Sequence, residues 1–107
     1  MRYYHNKHCD KLTLTCGDVY VLLYSIYARH LILSEYTKSI TLINCEIDKI
    51  SISSSTVIIK ADNCNLTEIN AIEELMQDKI YILDVRNNPD LKKENIKINI
   101  PILEYYQ

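Results

Sequence analysis

Apolar residues recur along this chain with a period of nineteen. Written in lines of nineteen from Leu12, the sequence gives three units, LTLTCGDVYVLLYSIYARH (12–30), LILSEYTKSITLINCEIDK (31–49) and ISISSSTVIIKADNCNLTE (50–68). Six columns are apolar in every line: Leu12/Leu31/Ile50, Leu14/Leu33/Ile52, Val21/Ile40/Ile59, Leu23/Leu42/Ala61, Ile26/Cys45/Cys64 and Ala28/Ile47/Leu66. The columns come in pairs separated by one residue. That is the alternation of a short strand sending two side chains inward and their neighbours outward. One such unit cannot bury its own apolar side, whereas stacked neighbours make a continuous core. The pattern predicts a solenoid.

The spacing inside the units resembles the leucine-rich repeat, L-x-x-L-x-L-x-x-N/C-x-L. The residues that carry the resemblance are Ile40-x-Leu42-x-x-Cys45-x-Ile47, Ile59-x-Ala61-x-x-Cys64-x-Leu66, and Ile80-x-x-Leu83-x-Val85-x-x-Asn88, which Leu91 closes one residue late. In Val21-x-Leu23-x-x-Ile26-x-Ala28, Ile stands where Asn or Cys belongs, and Asp18, Thr37 and Thr56 replace the leading Leu. The resemblance spans 12–95, about four repeats. It implies a parallel sheet on one side of the coils and protein recognition on its concave face.

In the fourth unit Ile69, Ile72, Leu75 and Met76 recur at steps of three and four, with Glu73, Glu74, Gln77 and Asp78 between them. This spacing predicts a helix over about 68–78, capped by Thr67. The expected fold class is α/β, a small leucine-rich-repeat-like solenoid with a parallel sheet, a largely extended convex side and one helix, in a single domain. Residues 1–11 are polar and basic-aromatic and read as an irregular N-terminal cap. Residues 96–107 read as a C-terminal cap, with Ile96-x-Ile98-x-Ile100 as an edge strand and Pro101 limiting further pairing.

Composition narrows function mainly by exclusion. The chain has 107 residues, the length of one domain, and a single glycine, Gly17. Phosphate-cradling loops need several glycines. The net charge is -2, and the densest basic pair, Lys92 and Lys93, has Asp90 and Glu94 beside it. No basic stripe of the kind nucleic-acid binders carry is present. No apolar run approaches the roughly 18 residues of a membrane span, so no membrane partner is expected. The first fourteen residues lack the apolar centre of an export signal. Four cysteines in that context point to a reducing, cytoplasmic setting with free thiols, in which the Asn65-Leu66-Thr67 sequon is inert. The bias towards Ile, Asn, Lys and Tyr fits an AT-rich genome such as that of a virus or parasite.

The candidate chemistry is sparse. His5, His8 and Cys9, near Cys16, supply half of a zinc pattern, and a solvated N-terminal segment is the expected reading. Cys45 and Cys64 lie one repeat apart, within the span of a disulfide, and are expected as buried reduced thiols. His30, Glu73, Glu74 and Asp84 have no neighbours that would polarise a nucleophile, so neither catalysis nor a cofactor is expected.

What remains is a surface. Alternation turns Tyr20, Leu22 and Tyr24, then Ser39, Thr41 and Ile43, then Ile58, Lys60 and Asp62, then Ile82, Asp84 and Arg86 to one open sheet face. One end is aromatic and apolar, and the other carries two opposite-charge pairs. Apolar centres with Tyr and Arg anchors are the composition of protein-binding hot spots. The expectation is a non-enzymatic module that binds a partner protein on this face. Three alternatives stay open. The N-terminal segment covers Tyr20, Leu22 and Ile43, the chain self-assembles as a homodimer through its edge strand or its apolar sheet face, or, as the weakest reading, it is a metal-dependent or thiol enzyme using the N-terminal His/Cys group.

Overall fold

The computed structural model, which describes residues 2–107, is a parallel β-solenoid of about six turns. Odd-numbered strands build one sheet, in the order β1 (Arg2–His5), β3 (Tyr20–Tyr24), β5 (Ser39–Ile43), β7 (Ile58–Asp62), β9 (Ile80–Asp84) and β11 (Ile102–Tyr106). Even-numbered strands build the other, in the order β10 (Ile96–Lys97), β8 (Glu68–Ala71), β6 (Glu46–Ile52), β4 (Tyr27–Ile32) and β2 (Lys11–Thr13). The chain thus changes sheet at every strand. All named ladders are parallel, and Val21 faces Ile40 and Ile40 faces Ile59, one period apart. On the second sheet Leu31 faces Ile50, which faces Ile69.

The core lies between the sheets. Of the residues in the six apolar columns, all are buried except Leu12, which packs half-buried at the end of the stack. Ile and Val suit these positions because a branched side chain packs well on a pleated surface.

Two kinds of corner close each coil. After the strands of the first sheet the chain takes a left-handed step at Asn6, Ser25, Asn44 and Asn63, again nineteen apart, with further steps at Asn65 and Asn87. Asn tolerates this conformation better than other side chains do, which lets a chain with one glycine turn so often. After the second sheet come Ser/Thr turns. The amides of Asp18, Thr37 and Thr56 donate to the carbonyls of Thr15, Ser34 and Ser53 at 2.9, 3.1 and 3.2 Å. Gly17 occupies the first of these turns without a positive φ, so its missing side chain is not a backbone requirement there.

The residues that break the leucine pattern have their own role. Asp18, Thr37 and Thr56 are fully buried, and the hydroxyls link coil to coil. Thr37 Oγ1 donates to the Asp18 carbonyl at 2.7 Å and Thr56 Oγ1 to the Thr37 carbonyl at 2.8 Å, and Gln77 Nε2 donates to the Thr56 carbonyl at 2.9 Å. A buried polar column is tolerated when its members have partners.

The α/β expectation is corrected. The chain is nearly all β, and no helix occupies 68–78. Residues 68–71 are strand β8, and the following segment is a non-helical excursion. Ile69 and Leu75 are buried, but Ile72 is 52% and Met76 83% exposed, so the helical stripe has no core to face. The excursion lengthens the coil, since Ile58 pairs with Ile82 rather than with a residue nineteen ahead. The only helical piece among the described residues is a single 3-10 turn, Lys93–Asn95.

Both ends also differ from the caps expected, an irregular one at the N-terminus and an Ile96–Ile100 edge strand at the C-terminus. Residues 2–5 form β1, which pairs with Val21–Tyr24 at the same nineteen-residue offset. Tyr4 packs on the core and its hydroxyl donates to Asp18 Oδ1 at 2.8 Å. At the other end, Ile96–Ile100 is not one strand. Only Ile96 and Lys97 pair, and Pro101 stands just before β11, its carbonyl accepting the Ile80 amide at 2.9 Å.

Candidate partner-binding face

Register alone places the candidate residues. On the six-stranded sheet, Tyr20 lies beside Ser39, Ile58 and Ile82 in one row across the strands. The next row runs Leu22, Thr41, Lys60, Asp84, and the third begins Tyr24, Ile43, Asp62, with Arg86 just beyond β9. All of these residues therefore share one outer face. The face has two shallow depressions that meet at Thr41. One, of about 510 Å³, is lined by Tyr20, Val21, Leu22, Ser39 and Thr41, and the other, of about 360 Å³, by Thr41, Ile43, Lys60, Asp62, Asp84, Arg86 and neighbours.

The aromatic half is open. Tyr20 is 53% and Tyr24 41% exposed, and Leu22, Ile43 and Ile58 are only partly covered. The N-terminal segment does not lie over Tyr20, Leu22 and Ile43. It joins the sheet edge instead, and so brings two further residues onto the face, Tyr3 (54% exposed) and His5, facing Leu22 and Tyr24. Their rings stack at 5.2 Å.

The charged half is held together internally. Arg86 donates to Asp84 through both Nε (3.0 Å) and Nη2 (2.8 Å), which draws the Asp84 carboxyl below its ordinary range. Asn87 Nδ2 donates to Asp62 Oδ1 at 2.7 Å. The Arg86 guanidinium also lies over the Tyr106 ring, 5.2 Å from its centroid. Tyr106 pairs in register with Asp84 and extends the face at this end. Lys60 makes no ion pair among the described residues.

The cysteines and histidines fall elsewhere. His8 stacks on Tyr27 at 4.6 Å, and Cys9 and Cys16 are exposed. Among the described residues no three His, Cys, Asp or Glu side chains gather as metal ligands would. Cys45 and Cys64 are both buried and free. They belong to a ladder at the first corner. The Ile26 amide donates to Cys45 Sγ at 3.5 Å, and the Cys64 and Leu66 amides donate to Asn88 Oδ1 at 3.0 and 3.2 Å. Asn88 Nδ2 in turn serves the carbonyls of Ala61, Val85 and Arg86.

No protein-family model matches the chain, and no curated protein or solved structure matches it. The solenoid architecture rests on the structure itself. No helix among the described residues is long and apolar enough to cross a membrane.

Proposed function

We propose that this chain is a non-enzymatic, leucine-rich-repeat-like interaction module that binds a partner protein through the outer face of its six-stranded sheet. The observation that carries the reading is the uncovered aromatic half of that face, Tyr3, Tyr20, Leu22 and Tyr24, beside a rigid Arg86–Asp84 pair. Flat, rigid aromatic surface bordered by fixed charge is what binding hot spots use. Such a patch on a soluble chain calls for a cover, and the chain's own N-terminal strand does not supply one.

Affinity capture from an extract of the native host, with wild type and Tyr24→Ala side by side, tests this. The expected result is a partner retained by wild type and lost by the variant, with thermal midpoints nearly equal. Equal retention by both would overturn the use of this face. A second reading, self-association into a homodimer, draws on the unpaired outer edge of β11, where Leu103 is exposed. Light scattering across a concentration series separates the two, since a strict monomer excludes the second.

A further inference from the structure

Cys45 and Cys64 occupy the same column of consecutive coils, and the partner-face reading gives neither of them a task. Their positions follow in-register pairing, since Ile43 faces Asp62 two residues earlier. Neighbouring parallel strands run about 4.8 Å apart, inside the roughly 4.4–6.8 Å that the Cα atoms of a disulfide span. The corner ladder aims both sulfurs the same way. Cys45 Sγ takes the Ile26 amide at 3.5 Å, and each thiol turns to the carbonyl two residues before it, Ile43 for Cys45 and Asp62 for Cys64. Cys45 Sγ also meets the Leu23 carbonyl. No other thiol is placed to compete, since Cys9 and Cys16 are exposed and both sulfurs of this pair are buried.

We propose that Cys45 and Cys64 form an oxidisable pair that closes into an intramolecular disulfide between consecutive coils when the chain meets a peroxide. The Cys45 thiolate attacks one peroxide oxygen, the O–O bond breaks, and hydroxide leaves, taking up the proton released when the Cys45 thiol ionised and becoming water, which gives the Cys45 sulfenic acid. The Cys64 sulfur then attacks the Cys45 sulfur, the S–O bond breaks, and a second water leaves with the Cys64 proton. Each sulfur has lost one electron, and one peroxide has become two waters.

Cys45 is the attacking sulfur because the Cys64 thiol beside it and the backbone amides hold its pKa down to about 7, despite burial. Cys64 is pushed the other way, first by the neighbouring Cys45 sulfur and then by burial. Burial makes the step slow, so it waits on opening of the corner at 63–67, which lies outside both sheets. Closure would tie the coils of β5 and β7 together directly behind Ile43 and Asp62.

The test uses the full chain carrying Cys9→Ser and Cys16→Ser, both exposed positions, so that only the buried pair can react. The folded protein is treated with hydrogen peroxide, then unfolded, alkylated, digested with trypsin and weighed. The expected result is a monomer about 2 Da lighter that takes up no alkyl group. Its Cys45 and Cys64 peptides, otherwise separated by cleavage after Lys49 and Lys60, stay joined until dithiothreitol is added. Two alkylatable thiols after prolonged oxidation, or a gain of one or more oxygens without a joined peptide, would overturn the proposal.

Discussion

The two outer faces of the solenoid are built from the same coils over the same core, yet they treat their polar and aromatic groups differently. On the five-stranded sheet the outward groups answer one another across the rungs. Lys49 and Lys97 both pair with Glu68, at 3.4 and 3.6 Å, and Arg29 pairs with Asp10 at 3.5 Å. His30 Nε2 lies 2.7 Å from Ser51 Oγ, which donates to Asn70 Oδ1 at 2.8 Å. The hydroxyl has one hydrogen and gives it to Asn70, so Nε2 is the donor to Ser51. On the six-stranded sheet the pairing stops at the charged half, and Tyr20, Leu22 and Tyr24 have no such answer. A face that satisfies itself gains little from a partner, whereas one that leaves rigid aromatic area in water gains more.

Both faces hang from one core in a nineteen-residue register, and Leu42→Ala should disturb that core most. Leu42 is fully buried between Leu23 and Ala61. The substitution is expected to cost about 2–5 kcal/mol, as cavity-forming changes do. Urea unfolding measures it, and a silent variant would mean that the register is wrong.

Asn88→Ala attacks the corner joining the faces. It strips the acceptor from the buried Cys64 and Leu66 amides and the donor from three carbonyls. A loss of about 3 kcal/mol is expected, from buried amides left without partners. Asn63→Ala is the contrast. Its exposed side chain donates only to Asn44, at 3.1 Å, so the cost there comes from the left-handed backbone and is smaller.

Acid separates the regions by pH window. Burial alone would raise the Asp18 carboxyl, but the Thr15 amide at 2.7 Å, the Tyr4 and Thr15 hydroxyls and Arg2 outweigh it and leave it below its ordinary value. A carboxyl lowered by folding contributes stability that is full above its unfolded value, near pH 4, and is lost as the pH falls through the folded value. His30 is also lowered, by burial first and then by Lys49 and Lys11, with Glu68 opposing. Its contribution is full above about pH 6.5 and is lost as the pH falls towards its folded value. Urea midpoints should therefore decline in two stages. Asp18→Asn should shrink the lower stage, to which the lowered Asp84 also contributes, and His30→Gln should remove the upper.

Much of this fold was legible because a period repeats its evidence. Each inward column occurs three times, so the place of Leu42 or Ile50 does not rest on one local pattern. The fourth coil offered one copy only, and there Ile69, Ile72, Leu75 and Met76 fitted a helix as well as an excursion. Spacing alone cannot say which two of the four face a core. The N-terminal coil was hidden by composition, because Tyr4 stands in the column of Leu23 and Arg2 in that of Val21, and neither looks like a core residue. One signal was available, since Asn6 lies nineteen before Ser25 in the same left-handed corner as Asn44 and Asn63. Reading it would have added Tyr3 and His5 to the face. Tyr106 had no such signal, because it pairs with Asp84 at an offset of twenty-two residues, outside the nineteen-residue period.

The smallest expected effect sharpens the comparison most directly. Lys49→Ala on the five-stranded face removes one arm of the Glu68 pairing but leaves Lys97 at 3.6 Å to hold the carboxylate. Exposed pairs of this kind contribute roughly 0–1 kcal/mol, so the urea midpoint should barely move. Retention of any partner captured by wild type should also be unchanged, because Lys49 projects from the opposite side of the core to Tyr24. Partner loss on Lys49→Ala with a normal midpoint would show the self-satisfied face to be the one that binds. The aromatic surface on the other sheet would then need a different explanation.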